Sequence, residues 1–247
     1  MTIGTDGVIA PAAWWRLAII FDAPGGDRER LARDLAAAGD AIRAAAGSAA
    51  QIGSVRLGVA TNFMNDLGFE GHAFGGWRRN DAAVEVTVSA DQAARLADIA
   101  AALRPVLEPM MAPDSAEVMA GPTYFMIPPR LGDYVLSLSF KRYPGTSKQD
   151  FSRWWYYQHS AVAIPVMGER VLGYDQVHCD DAAIDAVSAA FGVAPHYYDA
   201  YDNLTLVSWE SFASQDRDPE GSRRIAEDEI GRIDNDSRRH AVYRVLG

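Results

Sequence analysis

Apolar positions recur in a regular order along the first half of the chain. Leu17, Ile19 and Phe21 belong to an apolar run that ends at a Pro-Gly-Gly turn, and this pattern predicts a buried strand. A helix is predicted at residues 27–46, followed by two strands of alternating pattern at 55–59 and 84–88. A second helix is predicted at 89–103, ended by Pro105, and a last strand at 116–126. The predicted order is β-α-β-β-α-β.

The second half of the chain repeats this order. A strand with one apolar face is predicted from Tyr134 to Phe140, and Ser147 with Asp150 resembles a capping box at the start of a helix. The remaining predicted elements are strands at 170–178, 204–212 and 241–246, a long insertion at 181–203, and a helix over 219–231. In both halves a long insertion follows the second strand, and in the first half it is the glycine-rich segment 64–80.

Each half therefore has the β-α-β-β-α-β order of a ferredoxin-like unit. Helices cover one face of such a sheet, so the other face must be buried in a different way. Two units packed sheet to sheet, with their helices outside, form a closed α+β barrel, and a tandem pair can do this within one chain. We expect a leader at 1–13, a first ferredoxin-like repeat at 14–128, a second at 129–247, and an apolar cavity inside the barrel.

Charge and cysteine content narrow the class of protein. The chain has 33 acidic and 23 basic side chains, and the net charge of −10 disfavours binding to nucleic acid or to an anionic membrane surface. The single cysteine, Cys179, cannot form a disulfide within the chain. Pro11 interrupts the apolar N-terminal residues, no basic residue precedes them, and no apolar run approaches a membrane span of about 18 residues. We therefore expect a cytoplasmic protein.

The second half also carries specific motifs. An apolar strand with a basic Pro-Gly turn lies at residues 140–147, and the helix after it has an aromatic-x3-His pattern with Phe151, Trp155 and His159. A strand with a Tyr-x-Gln-x-His pattern follows at 173–178, and the acidic last helix carries Glu227 to Glu229 and Asp234. In these motifs the chain resembles the EthD family of dimeric α+β barrel proteins. The resemblance covers residues 133–247, whereas residues 14–126 share only the order of elements. It implies the dimeric α+β barrel type of fold, and a homodimer is possible.

The chain departs from the family pattern in two places. The helix continues His159-Ser160-Ala161 instead of His-Ala-Pro, and the 181–203 insertion is longer than the family leads us to expect. The first repeat has no histidine on its first helix, and Phe63 stands near the place that corresponds to His178. We therefore expect one site per chain, in the second repeat.

The resemblance implies catalytic roles for His159 and His178. Imidazole suits proton transfer because its ordinary pKa lies near neutral pH. The residues alone also allow a structural histidine at position 159, held at the edge of an apolar helix face. His178 shares a strand face with Tyr174 and Gln176, which suits either a lined cavity or a solvent-facing barrel rim. With Trp154 and Trp155, that face is predicted to bind the substrate.

The 181–203 insertion is predicted to act as a lid over the barrel mouth. His196, Tyr197 and Tyr201 are its candidate substrate-binding residues, because aromatic and polar groups could stack on a flat ligand. A plain surface loop would have the same composition. His72 lies in the corresponding insertion of the first repeat, and the roles of His72 and His240 stay open.

The sequence indicates no cofactor. No Gly-rich nucleotide-binding motif is present, and Ser160 beside His159 does not form a triad because adjacent helix residues diverge by about 100°. A metal held by histidines with Asp199 or Asp202 would need ligands from separate elements. That metal-dependent lyase is one alternative.

The function that best fits is a cofactor-independent lyase or isomerase. The resemblance implies a small hydrophobic, often aromatic or polyketide-like substrate. Histidine general acid–base chemistry would act on it with loss of water, carbon dioxide or a small aldehyde. In this scheme His159 is the base, and His178 or a tyrosine is the acid. The other alternative is a non-catalytic accessory protein that binds a hydrophobic intermediate of an oxygenase or aromatic-degradation system.

Overall fold

The computed structural model describes residues 8–61, 80–208 and 218–246. Within them, eight strands form one closed antiparallel barrel in the order β1-β3-β2-β8-β5-β7-β6-β4. The strands are β1 Trp14–Phe21, β2 Ile52–Ala60, β3 Ala82–Ser89, β4 Glu117–Ile127, β5 Tyr134–Arg142, β6 Val171–His178, β7 Ala200–Leu206 and β8 Ile233–Leu246.

Helices lie outside the barrel. They are α1 Arg28–Ala49, α2 Leu96–Leu107, α3 Lys148–Arg153, α4 Ser160–Met167, α5 Asp181–Phe191 and α6 Pro219–Glu229. A 3₁₀ segment, Ala90–Arg95, precedes α2, and a π-helical segment, Trp154–His159, joins α3 to α4. None of the helices in the described ranges is long and apolar enough to cross a membrane.

The strand order confirms the prediction of two ferredoxin-like repeats in one barrel. The first repeat contributes β4-β1-β3-β2 and the second contributes β8-β5-β7-β6, which is the same order twice. Pairing of β2 with β8 and of β4 with β6 closes the barrel. The expected repeat boundaries stay predictions, although all eight strands lie on the expected sides of them.

The outer face of the first repeat packs as an apolar core. Leu17, Ile19 and Phe21 of β1 belong to one buried cluster with Leu35 of α1 and Leu103 of α2. Burial of side chains of this size contributes about 1.5–3 kcal/mol each. Helix α2 runs to Leu107 and so passes Pro105, which was predicted to end it, because a proline in the last turn removes only one helical hydrogen bond.

The barrel interior differs from the predicted apolar cavity, and that prediction is wrong. Arg16 of the first repeat forms an ion pair with Asp175 of the second, and Arg56 forms one with Glu85. Asn203 donates to Glu85 Oε1 at 3.1 Å and to Asp175 Oδ1 at 3.2 Å. Burial alone would raise the pKa of Glu85, but Arg56 and Arg16 hold it below its ordinary value. One part of the interior is therefore charged and mutually paired, whereas Ala18, Ile20 and Met119 belong to a buried apolar cluster.

The 181–203 insertion is mostly regular structure, so the predicted lid is wrong for most of its length. Asp180 caps α5, which ends at Gly192 in the left-handed conformation (φ 80°). Val187 and Phe191 of α5 pack into the apolar core of the first repeat. Strand β7 begins at Ala200, so only residues 192–199 remain as a connection. The predictions for Phe63, His72 and the glycine-rich segment concern residues outside the described ranges.

Candidate functional site

The polar face of β6 points away from the barrel interior. The Tyr174 ring packs among Ala163 and Met167 of α4, and Gln176 bonds to residues of the helix that covers the sheet. Asp175, between them in sequence, faces inward to Arg16. Tyr174, Gln176 and His178 therefore lie between the sheet and the helices of the second repeat, and the prediction that they line the barrel cavity is wrong.

The π-helical segment shapes this interface. Its wider turn leaves the carbonyl of Trp155 to accept from Ser160 Oγ at 3.1 Å and from Gln176 Nε2 at 3.2 Å. Gln176 Nε2 also lies 2.9 Å from Ser160 Oγ and 2.7 Å from the Tyr174 hydroxyl. These bonds fix the helix on the sheet. Short π segments inside α-helices are frequent at functional sites.

His159 ends the π segment and faces α6. Its Nδ1 lies 3.0 Å from Asp228 Oδ2, and Trp154 Nε1 donates to the other carboxylate oxygen at 3.3 Å. The side chains of His159 and Asp228 are 8% and 19% exposed. A hydrogen on Nδ1 suits this contact, because a carboxylate oxygen accepts, and in that tautomer the lone pair lies on Nε2. The carboxylate thus fixes the orientation of the imidazole ring.

His178 lies in an aromatic environment next to the π-helical segment that carries His159, whose pair with Asp228 we call the dyad. Its ring centroid is 4.8 Å from that of Trp155 and 4.9 Å from that of Tyr124. Its Nε2 is 3.3 Å from Gln176 Oε1. Burial lowers the pKa of His178 to about 3, so the imidazole is neutral at neutral pH. A neutral imidazole does not favour the predicted role of His178 as general acid, and that role stays a prediction.

The predicted substrate-binding residues fall into two groups. Trp154, Trp155, Tyr174 and Gln176 share the interface with His159 and His178; Trp155 is fully buried against Phe140 and Phe151. Their contact with a substrate stays a prediction.

His196, Tyr197 and Tyr201 are not brought to this interface. The His196 ring is tilted against that of Tyr198, with the centroids 4.6 Å apart, and His196 lines a cleft of about 660 Å³ beside α2. Tyr197 is exposed and donates to Asp185 on α5. Tyr201 lies on β7 and donates to Glu85 inside the barrel. The three side chains therefore occupy separate places.

Sequence reasoning missed Asp202 and His240 as members of this interface. They lie in one row across the outer face, since Gln176 pairs with Asp202, Asp202 with Leu138, and Leu138 with His240. Burial, with the charges of Asp175 and Glu229, raises the pKa of Asp202 well above its ordinary value. Burial and Arg238 lower the pKa of His240 to about 3. The available signal was the period of two in β7 and β8, which places both residues on the helix-covered face.

Asp228 was signalled only as part of an acidic helix. It is 69 residues from His159 in sequence, and no local spacing links the two. In the parts of the chain that the structure describes, no three His, Cys, Asp or Glu side chains group closely enough to hold a metal ion.

A closed barrel of two ferredoxin-like repeats is the fold of dimeric α+β barrel proteins. Residues 143–236, in the second repeat, match the model of the EthD domain. A search of curated protein sequences found no match.

Solved structures share the fold at low sequence identity. An anthrone oxidase-like protein has a TM-score of 0.59 at 10% identity, covering 99% of this chain and 94% of its own. A dye-decolorizing peroxidase from Bacteroides thetaiotaomicron has a TM-score of 0.56 at 10% identity, with coverage of 98% and 95%. A mutant chlorite dismutase from Candidatus Nitrospira defluvii has a TM-score of 0.53 at 9% identity, with coverage of 97% and 93%.

Proposed function

We propose that the second repeat carries a general acid–base site of lyase or isomerase type. Its substrate is a small hydrophobic molecule, aromatic or polyketide-like, and the chemistry requires no cofactor. The observation that carries this proposal is the contact of His159 Nδ1 with Asp228 Oδ2 at 3.0 Å. A carboxylate that accepts from one imidazole nitrogen leaves the other nitrogen as an oriented base.

The surroundings of the pair support a proton-transfer role. Trp154 donates to Asp228, and its ring centroid lies 5.2 Å from that of His159. Low exposure of both partners strengthens their electrostatic interaction, because water screens it less. The base then removes a proton from an acidic C–H or O–H of the substrate, and Asp228 stabilises the imidazolium that forms.

Helix α6 supplies Asp228 and is held mainly by polar contacts. Gly221 is the buried residue of this helix, whereas α1 of the first repeat buries six residues. The contacts of Asp228 with His159 and of Glu229 with Arg238 attach the end of α6 to the site. A helix attached in this way can shift to admit a flat ligand between itself and α4.

Binding without turnover is the second candidate function. The aromatic rings of Trp154, Trp155 and Tyr174, buried beside the dyad, also suit a protein that holds an aromatic intermediate for another enzyme. The two functions differ in their dependence on His159, since a binder tolerates the loss of its base whereas an enzyme does not.

The test combines a ligand screen with variants at the dyad. Aromatic and polyketide-like ketones, hydroxy acids and carboxylic acids are screened by quenching of tryptophan fluorescence, and turnover of those that bind is followed by NMR. We expect His159→Ala to lower kcat by about 10²–10⁴-fold while binding is retained. Asp228→Asn should also lower kcat.

Gln158→Ala is the matched control, because Gln158 is exposed and precedes His159 in the same segment. Thermal melts establish that each variant is folded. Turnover by His159→Ala within a few-fold of the parent protein would contradict the proposal. Binding of a ligand that no variant or condition converts would favour the accessory function.

A further inference from the structure

Asp202 occupies the middle of the sheet face that the helices of the second repeat cover. It is flanked by Gln176 on β6 and Leu138 on β5, and its side chain is buried. The charged or titratable groups that act on it are Tyr174 and Asp175 of β6, Glu229 of α6 and Arg238 of β8. Glu229 follows Asp228, so Asp202 and the His159–Asp228 pair border the same interface.

The Asp202 carboxyl group is incompletely hydrogen-bonded. Its Oδ1 is buried and has no partner among the described residues. An ionised carboxylate in this position would be costly, because burial removes its hydration and two acidic neighbours repel it. A protonated acid avoids both costs and keeps an O–H for donation. The Tyr174 hydroxyl beside it also stays protonated, because burial raises its pKa well above the ordinary value.

Two O–H donors therefore lie in the layer between sheet and helices that also holds His159. Such donors stabilise a developing negative charge on oxygen most strongly where water is excluded. A substrate that develops this charge when a C–H proton is removed is an enolisable carbonyl compound. The apolar and aromatic surroundings, with Trp154 and Trp155, favour a flat aromatic ketone over a small polar one.

We propose that Asp202 is the general acid of the site, donating a proton to the carbonyl oxygen of an aromatic ketone whose α-proton His159 removes. This rests on the function proposed above. His159 Nε2 takes the α-proton, the C–H electron pair forms the C=C bond, and the carbonyl π pair moves to oxygen. That oxygen takes the Asp202 proton. The reverse transfer returns it to Asp202 as imidazolium delivers a proton to carbon, so the tautomerisation needs no co-reactant.

The test uses 2-tetralone as the ketone and 2-naphthol as a stable analogue of its enol. Exchange of the α-protons of 2-tetralone in D₂O is followed by proton NMR, and binding of 2-naphthol by tryptophan fluorescence. We expect the protein to accelerate exchange and Asp202→Leu to lower that rate by about 10²-fold. Asp202→Asn, which keeps a donor group but cannot give up a proton, should bind 2-naphthol within about threefold of the parent and still exchange slowly.

Asp236→Asn is the matched control, because it removes an exposed carboxylate in the same repeat. If Asp202→Leu exchanges within twofold of the parent, the assignment of Asp202 is overturned. If the parent binds 2-naphthol but shows no exchange that depends on His159, the proposed function fails; Asp202 is still tested by the affinity of Asp202→Leu for 2-naphthol. If the parent neither binds nor exchanges, the ketone class is overturned.

An infrared measurement tests Asp202 independently of any ligand. A carboxylic acid C=O band should be present in the parent protein at neutral pH and absent from Asp202→Asn. This readout also applies where Asp202→Leu fails to fold, since the asparagine variant is nearly isosteric. Absence of the band from the folded parent protein would overturn the proposal.

Discussion

The two repeats share one topology and differ in the chemistry of the face that their helices cover. In the first repeat this face belongs to one apolar cluster, with Ile19, Leu57 and Val86 under the uninterrupted helix α1. In the second repeat the corresponding face carries Asp202 and His240 under a helix interrupted by a π segment. The same fold therefore serves as scaffold in one half and as candidate site in the other.

The difference follows from what each face does for stability. An apolar face contributes through burial, and the polar face instead requires a hydrogen bond or a neutral state for each buried group. Gln176 meets this requirement because its Nε2 has three acceptors within reach, whereas Asp202 Oδ1 has no partner among the described residues. On the helix-covered faces, an unsatisfied carboxylate oxygen in the second repeat contrasts with apolar packing in the first, and a buried polar atom without a partner requires an explanation.

The largest predicted effect concerns the network that joins the repeats. Arg16→Met should lower the free energy of unfolding by about 3–5 kcal/mol, because it leaves Asp175 buried without its partner. Denaturant unfolding measures this. Replacing both partners, with Arg16→Met and Asp175→Leu together, should recover part of the loss.

Arg95→Met is the control for that variant, since the Arg95–Asp98 pair is more than half exposed on both sides and should matter by at most about 1 kcal/mol. An Arg16→Met protein as stable as this control would show that the interior charges do not hold the repeats together.

A smaller predicted effect is a pH dependence of the free energy of unfolding that arises from His178 in the second repeat. The pKa of His178 falls from 6.5 to about 3 on burial, so below pH 6.5 the unfolded chain binds a proton that the folded protein does not. Stability is therefore lost as the pH falls. From pH 6.5 to 5, the parent protein should lose about 2 kcal/mol relative to His178→Phe, whose ring keeps the contacts with Trp155 and Tyr124.

The pKa shift of Asp202 has the opposite effect on stability, because a raised pKa favours the folded state as the pH falls. This effect is the same in the parent protein and in His178→Phe. Hydrogen exchange should locate the acid-sensitive opening in the second repeat. Parallel stability curves for the parent protein and His178→Phe would contradict the burial of a neutral imidazole.

The sequence predicted the fold better than the site. Periods of two and 3.6 define strands and helices, and the repeated order limits how two half-covered sheets can pack. The alternation in β6 separates Tyr174 and Gln176 from Asp175, but both sets are polar, so periodicity cannot tell which one faces the helices. Pairing across the finished barrel decides this.

The π segment and the partner of His159 were beyond the reach of the sequence for different reasons. The wider π turn changes the phase of the helix, so the expected place of His159 at the edge of an apolar α-helical face no longer applies. Asp228 reaches His159 only because α6 packs beside α4 in the folded repeat.

The smallest predicted effects compare two tyrosines that the sequence assigned to one lid. Tyr201 is buried and donates to the carboxylate of Glu85. Tyr201→Phe should lower the free energy of unfolding by about 1.5 kcal/mol. This is at the low end for a bond to a charged group, because Arg56 and Asn203 still contact Glu85. Tyr197 is exposed and bonds to Asp185 at the surface, so Tyr197→Phe should leave the Tm unchanged.

Thermal melts of the two variants, with binding of 2-naphthol as the second readout, test whether these tyrosines act as a lid. A lid would weaken ligand binding in both variants and leave both equally stable. If the tyrosines belong to separate structures, stability falls only in Tyr201→Phe and the affinity of the folded protein is unchanged in both. Weaker binding in Tyr197→Phe alone would place the connection 192–199 at the site after all, and would extend the candidate site from the helix-covered face of the second repeat to the helix layer of the first.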